Sequence, residues 1–199
     1  NFNDPYTSKS ITEFWQRWHM SLSSWLREYL YIPLGGNKKG TRRTYINLFL
    51  TMLLGGLWHG ANWTFVVWGA WHGGILAIER YLKSKFGDSI LPSWLRIIKT
   101  MLLVMIGWIF FRAIDLDNAL QMLRGLIGLN GFDFSNMMQW QIEPDRLGIL
   151  FVAIFLVYAM PWLHRYRGGP MRYLLIPLFF WAVATLSAQN FTPFLYFQF

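Results

Sequence analysis

No Asp, Glu, Lys or Arg occurs between Thr44 and Ile78, an apolar, glycine- and tryptophan-punctuated stretch of 35 residues. A helix needs about 20 residues to cross the roughly 30 Å hydrocarbon core of a bilayer, so the stretch is too long for one span and short of two. It predicts a short helical hairpin over 44–80 whose turn, near Gly60-Ala61-Asn62, stops below the far interface. Three further apolar runs predict spans at 97–112, 147–163 and 173–189. The first is short, and Lys99 near its end can snorkel to the head groups. Ahead of the hairpin, Ile11, Phe14, Trp15, Trp18, Leu22, Trp25, Leu26 and Tyr29 recur at spacings of three and four, which predicts an amphipathic helix over 11–30. Ser10 or Thr12 can cap it, Glu13 suits the positive end of its dipole, and Pro33 with Gly35 and Gly36 ends it in a tight turn by residue 36. Glu13, Arg17, His19, Arg27 and Glu28 argue against a simple span and for an interfacial position. Together the elements predict an all-α, polytopic membrane helical bundle with short or broken helices and an interfacial aromatic-rich helix.

Composition supports this reading. Hydrophobic residues make up 54% of the chain and charged residues only 14%, against about a quarter charged in an ordinary soluble domain. Disorder is excluded by the same figures. The net charge of +8 could suggest nucleic acid, but 12 of the 18 basic residues fall in three loops between predicted spans. These are Lys38, Lys39, Arg42 and Arg43; Arg80, Lys83, Lys85, Arg96 and Lys99; and Arg165, Arg167 and Arg172. The stretch from Ala113 to Asp145 instead holds Asp115, Asp117, Asp133, Glu143 and Asp145, half of all the acids, with Arg124 its only base. Even numbers of spans separate the basic loops, and an odd number separates each from the acidic one. The positive-inside rule therefore puts the basic loops in the cytoplasm and the acidic loop and the His59 turn toward the outside. Nucleic-acid binding is not needed to explain the charge. The opening ten residues are polar and begin with Asn, so the chain is expected to start inside a longer protein.

Candidate chemistry centres on histidine. The chain has no Cys, which removes disulfides, zinc thiolates and a protein-bound thioester. No GxSxG, Walker or GxGxxG sequence occurs, and no HxxxH spacing points to a metal. Of the four histidines, His19, His59 and His72 follow a tryptophan. An imidazole at membrane depth is expensive unless neutral, partnered or beside water, which makes it a functional candidate; a neutral ring is a general base. The alternative is a ring that merely hydrogen-bonds a neighbouring helix, and it weighs more for His72 than for His59. His164, beside Arg165, reads as a loop-edge residue.

The runs EFWQRWHMSLSSWLREYLYIPLGG at Glu13 to Gly36, Asn47-Leu48, GGLWHGANWTFVVWGAWHG at Gly55 to Gly73 and PFLYFQF at Pro193 to Phe199 resemble the membrane-bound O-acyltransferases. The likeness is to the bacterial branch that includes alginate O-acetyltransferases, related to the D-alanyl transfer proteins of teichoic acid. The resemblance implies that residues 1–199 form the C-terminal part of one membrane domain, in a multi-pass protein of the bacterial cytoplasmic membrane about twice this length. It implies a catalytic His59, with His19, 40 positions upstream, as its polar partner. It also gives His72 as pocket-lining and Trp58, Asn62 and Arg17 as substrate-binding candidates.

The reaction that the resemblance implies is O-acylation of an extracellular polysaccharide such as alginate, with an acyl group, here acetyl, drawn from the cytoplasm. The donor is an acyl-CoA or an acyl carrier protein thioester, attracted by the basic loops; no bound cofactor or metal is expected. Partners would be the bilayer, the donor, a periplasmic acetyltransferase and the polysaccharide acceptor. A polytopic transporter or flippase, with histidine as proton relay, and a non-catalytic partner of a periplasmic acetyltransferase are the rival readings.

Overall fold

The computed structural model describes residues 1–131 and 144–163, together with Tyr173, Ile176, Pro177, Phe179, Phe180 and Val183. Most of the described residues are helical, with no strand among them. Most of the span predicted at 173–189, the base cluster at Arg165, Arg167 and Arg172, His164, Asp133, Glu143 and the terminal PFLYFQF lie outside the described residues.

The helix predicted over 11–30 is broken. Helix α1 spans Ile11–Arg17, α2 spans Met20–Leu26, and a π-helical turn follows at Arg27–Tyr31. His19 takes a left-handed conformation, φ 44°, uncommon outside glycine, although histidine, like Asn and Asp, adopts it more often than other side chains. Asn1 sustains the break by accepting from the backbone N–H of Met20 through its carbonyl, at 3.0 Å, and from that of Ser21 through Oδ1, at 2.8 Å. The start of α1 is held on two sides. Ser10 Oγ accepts from the N–H of Glu13, and the Glu79 carboxylate, from another helix, accepts from the N–H groups of Ile11 and Thr12 and from the Thr12 hydroxyl.

Helix α3, Thr41–His59, and helix α4, Trp63–Phe86, form a tight antiparallel hairpin that reverses at Gly60-Ala61-Asn62. Small residues let the backbones meet. A Cβ on Gly73 would lie 2.8 Å from the Phe49 carbonyl oxygen, and one on Gly69 would lie 2.5 Å from that of Met52. Helix α5, Ser93–Arg112, packs on α4, where Trp71 Nε1 donates to the Leu103 carbonyl at 2.8 Å. The stretch after α5, read from sequence as an acidic loop, contains an amphipathic helix α6, Leu116–Leu126, capped by Asp115. Helix α7 spans Pro144–Leu163. The chain divides into compact units at 1–154 and 155–199. The core of the first joins Ile11, Phe14, Met52, Trp68, Leu76 and Val104.

Among the described residues, α5 is the one helix long and apolar enough to cross a membrane; α7 carries a shorter apolar stretch at Leu147–Ala159. Beside the core residues Met52, Trp68, Leu76 and Val104, helices α3 to α5 bury small and polar side chains and expose large apolar ones. Their buried positions are largely small or polar: Thr44, Asn47, Thr51, Gly55 and Gly56 on α3, Thr64, Gly69 and Gly73 on α4, Thr100 and Gly107 on α5. Their exposed positions include Ile46, Leu54, Leu57, Ile78, Ile98, Leu102 and Met105.

Candidate active site

His59 is the last residue of α3 and stands at the mouth of the hairpin turn. Four aromatic rings frame it edge-on or tilted: Trp58 at 5.1 Å between centroids, Trp68 at 5.3 Å, Phe111 at 5.0 Å and Phe65 at 6.2 Å. The imidazole is half-buried and makes no hydrogen bond among the described residues. Among the described residues, both ring nitrogens are therefore without a partner.

His72 is 1% exposed and its ring is engaged. Its Nδ1 accepts from the indole N–H of Trp15 at 3.4 Å, and Nε2 faces Gly107 of α5, where a Cβ would collide with it. Trp68 stands between the two histidines, T-shaped to His72 at 5.1 Å and to Trp15 at 5.8 Å as well as to His59. Trp68 and Trp15 escape the sequence motifs as site residues. Trp68 and His72 stand four apart on α4 and share a face, a signal readable locally; Trp15 lies 57 positions from His72, and nothing local announces it.

His19 is not joined to His59 by a hydrogen bond. Its Nδ1 faces the side chains of Asn1, at 3.3 Å, and Ser21, at 3.5 Å. The adjacent Trp18 stacks on Phe14 and packs against Trp108, so the position of His19 is set by α1 and α5 together.

The other candidates are engaged structurally. Asn62 caps α4, accepting from the Thr64 N–H at 3.1 Å, and donates to the Ile114 carbonyl at 2.7 Å, tying the turn to the segment after α5. Arg17 pairs with Glu13 at 2.6 Å and donates to Thr7 Oγ1 at 3.1 Å, holding the opening segment against α1. Trp58 is 68% exposed and Trp63 71%, flanking the turn as aromatic side chains do at a membrane interface. No group of three His, Cys, Asp or Glu suited to a metal occurs among the described residues.

A family model described as MBOAT, membrane-bound O-acyltransferase family, matches residues 1–123. The chain belongs to the membrane-bound O-acyltransferase family. An Azotobacter vinelandii protein named probable alginate O-acetylase AlgI is 42% identical, over 100% of this chain and 47% of its own length. A Pseudomonas putida protein of the same name is 44% identical, over 100% of this chain and 46% of its own. A Helicobacter pylori peptidoglycan O-acetyltransferase is 41% identical, over 81% of this chain and 31% of its own. The chain thus spans about half the length, or less, of these members. The family match covers α1 to α5 and most of α6, and so includes all three histidines of the site.

Proposed function

We propose that this chain is the histidine-bearing part of a multi-pass membrane O-acyltransferase that moves an acetyl group from a cytoplasmic thioester to a polysaccharide hydroxyl outside the membrane. The observation that carries the proposal is the contrast between two imidazoles in one aromatic cluster. His72 is buried and committed to Trp15. His59 is half-buried, at a helix end, and free of hydrogen bonds among the described residues. A general base must be able to reach the proton it removes, and only the second ring meets that condition.

His59 takes the proton of the acceptor hydroxyl as its oxygen attacks the thioester carbonyl. The carbon–sulfur bond breaks, the acyl group passes to oxygen, and the proton returns to the departing thiol. His19 acts as the polar partner that orients His59 or polarises the carbonyl. A positioned base contributes about 10²- to 10⁴-fold in rate; the remainder must come from holding donor and acceptor together. The anionic donor, a coenzyme A or carrier-protein thioester, is drawn to Lys38, Lys39, Arg42 and Arg43 and to Arg80 through Lys99. The buried glycines and threonines and the exposed apolar side chains of α3 to α5 support immersion in lipid, where helices associate through small residues and direct apolar ones outward. The relatives named as alginate O-acetylase and peptidoglycan O-acetyltransferase support a polysaccharide acceptor, with alginate favoured by coverage.

The test is His59→Ala in the full-length protein, with labelled acetyl followed onto polysaccharide and membrane insertion assayed in parallel. Loss of transfer by at least about 100-fold with insertion retained is expected. Near-normal transfer would overturn the assignment.

A further inference from the structure

Asn1 and His19 meet where the chain breaks between α1 and α2. Each end of the Asn1 side-chain amide has a neighbour: Nδ2 lies 3.3 Å from Nδ1 of His19, and Oδ1 lies 2.8 Å from the backbone N of Ser21. The second contact fixes which end is which, because a backbone N–H only donates and so must face the amide oxygen. The NH₂ group is left toward the ring, and it too only donates. The Asn1 carbonyl also accepts from the Met20 N–H at 3.0 Å, so main chain and side chain together seat Asn1 against the first turn of α2. Ser21 adds a hydroxyl 3.5 Å from the same Nδ1, and a hydroxyl can donate as well. An imidazole nitrogen that faces donors is the bare one, and in a neutral ring the proton then sits on the other nitrogen. Nε2 of His19, on the far edge of the ring, has no hydrogen-bond partner among the described residues.

We infer that Asn1 is a positioning residue that holds His19 in its Nε2–H form, which makes His19 a hydrogen-bond donor to the thioester carbonyl and not an orienting group for His59. A group that orients a general base accepts the N–H on the base's far nitrogen, as the carboxylate of a catalytic triad does. A ring whose Nδ1 is occupied and whose Nε2 carries hydrogen has no acceptor left for that task. Donating to His59 would not help either, since a neutral imidazole has one basic nitrogen and the reaction consumes it. The reacting carbonyl is what remains. As the acceptor oxygen attacks, negative charge gathers on the carbonyl oxygen, and a donor fixed beforehand stabilises it there. His59 carries the acceptor's proton to the departing thiol, and His19 keeps its own proton throughout.

This role for Asn1 rests on the acyl-transfer reading of His59 and His19. The test is Asn1→Asp in the full-length protein, which keeps an oxygen for the Ser21 N–H and replaces the donor facing Nδ1 by an acceptor. At about pH 8.5, above the ordinary histidine pKa of about 6.5, the neutral ring should then turn to the Nδ1–H form. Nitrogen NMR of histidine-labelled protein reads the tautomer, with His19→Asn assigning the signal. Wild type should carry hydrogen on Nε2 and Asn1→Asp on Nδ1. Asn1→Asp should unfold at the wild-type temperature yet lose at least about tenfold in kcat, with KM little changed. Asn1→Ala should show the opposite balance. It strips the acceptor from the Ser21 N–H and should unfold earlier, while the Ser21 hydroxyl still donates to Nδ1 and kcat falls less than in Asn1→Asp. A merely structural Asn1 predicts the reverse order. Hydrogen on Nδ1 in wild type, unchanged kcat in Asn1→Asp, or a larger kcat loss in Asn1→Ala than in Asn1→Asp overturns the proposal. Near-normal transfer by His59→Ala defeats the acyl-transfer reading instead, and the tautomer, read without turnover, keeps the two failures distinct.

Discussion

Trp15 donates its indole N–H to Nδ1 of His72, joining the short α1 to the centre of α4 at 3.4 Å. The bond commits one nitrogen of a buried ring and leaves the other beside Gly107. Trp15→Phe keeps the aromatic contact with Trp68 and removes only the donor. A buried acceptor deprived of its partner costs about 1–3 kcal/mol, so thermal unfolding of the full-length protein in detergent should occur at a lower temperature. Unchanged stability would show that the long bond contributes nothing.

Gly73 and its neighbour Gly74 offer a paired comparison. A Cβ on Gly73 meets the Phe49 backbone, whereas one on Gly74 meets nothing within 4 Å. Gly73→Ala must push α3 and α4 apart and should cost about 1–3 kcal/mol. Gly74→Ala should be neutral or stabilising by about 0.5–1 kcal/mol, because alanine loses less entropy in a helix. Unfolding midpoints of the two variants, measured side by side, check the prediction; equal shifts would refute the close approach at Gly73.

The hairpin is legible in sequence because charges stop at Thr44 and resume at Glu79, with glycine and asparagine marking the reversal between them. His59 is legible because it sits in a dense Trp-His-Gly motif at that reversal. The break at His19 is not. Nothing in Arg17-Trp18-His19-Met20 is a helix breaker; the break depends on acceptors that Asn1 brings from outside the segment and on Trp18 packing against α5. Helix α6 is readable, since Leu116, Ala119, Leu120, Leu123 and Leu126 keep helical spacing, but the acidic charge of the surrounding stretch suggests a loop. The partners of His72 come from α1 and α5, and no local pattern encodes them.

Glu79 shows how a distant carboxylate can complete a helix. It takes the N–H groups of Ile11 at 3.1 Å and Thr12 at 2.9 Å, where the positive end of the α1 dipole also favours an anion. Glu79→Ala removes the acceptors and the charge together and should cost about 0.5–2 kcal/mol, with faster amide exchange at Ile11 and Thr12. Glu79→Gln should retain part of the effect, having one oxygen and no charge. Exchange rates at these two amides that match wild type in both variants would show that α1 is held by its aromatic packing alone.

His19 combines a strained backbone with a proposed chemical role, and substitutions can separate the two. Its φ of 44° costs most side chains about 1–2 kcal/mol, which glycine escapes and which histidine and asparagine tolerate better than most. His19→Gly should therefore preserve or raise the unfolding temperature, and His19→Asn should leave it nearly unchanged. If the imidazole orients His59 or polarises the carbonyl, turnover of His19→Gly should still fall at least about tenfold, equivalent to ~1.4 kcal/mol of barrier. Asparagine, which keeps a polar side chain in the same backbone, should recover part of the rate. The decrease belongs in kcat with little change in KM, since a group acting only as the reaction proceeds does not alter ground-state binding. A glycine variant that turns over like wild type would mean that the chain break at this position matters and the ring does not.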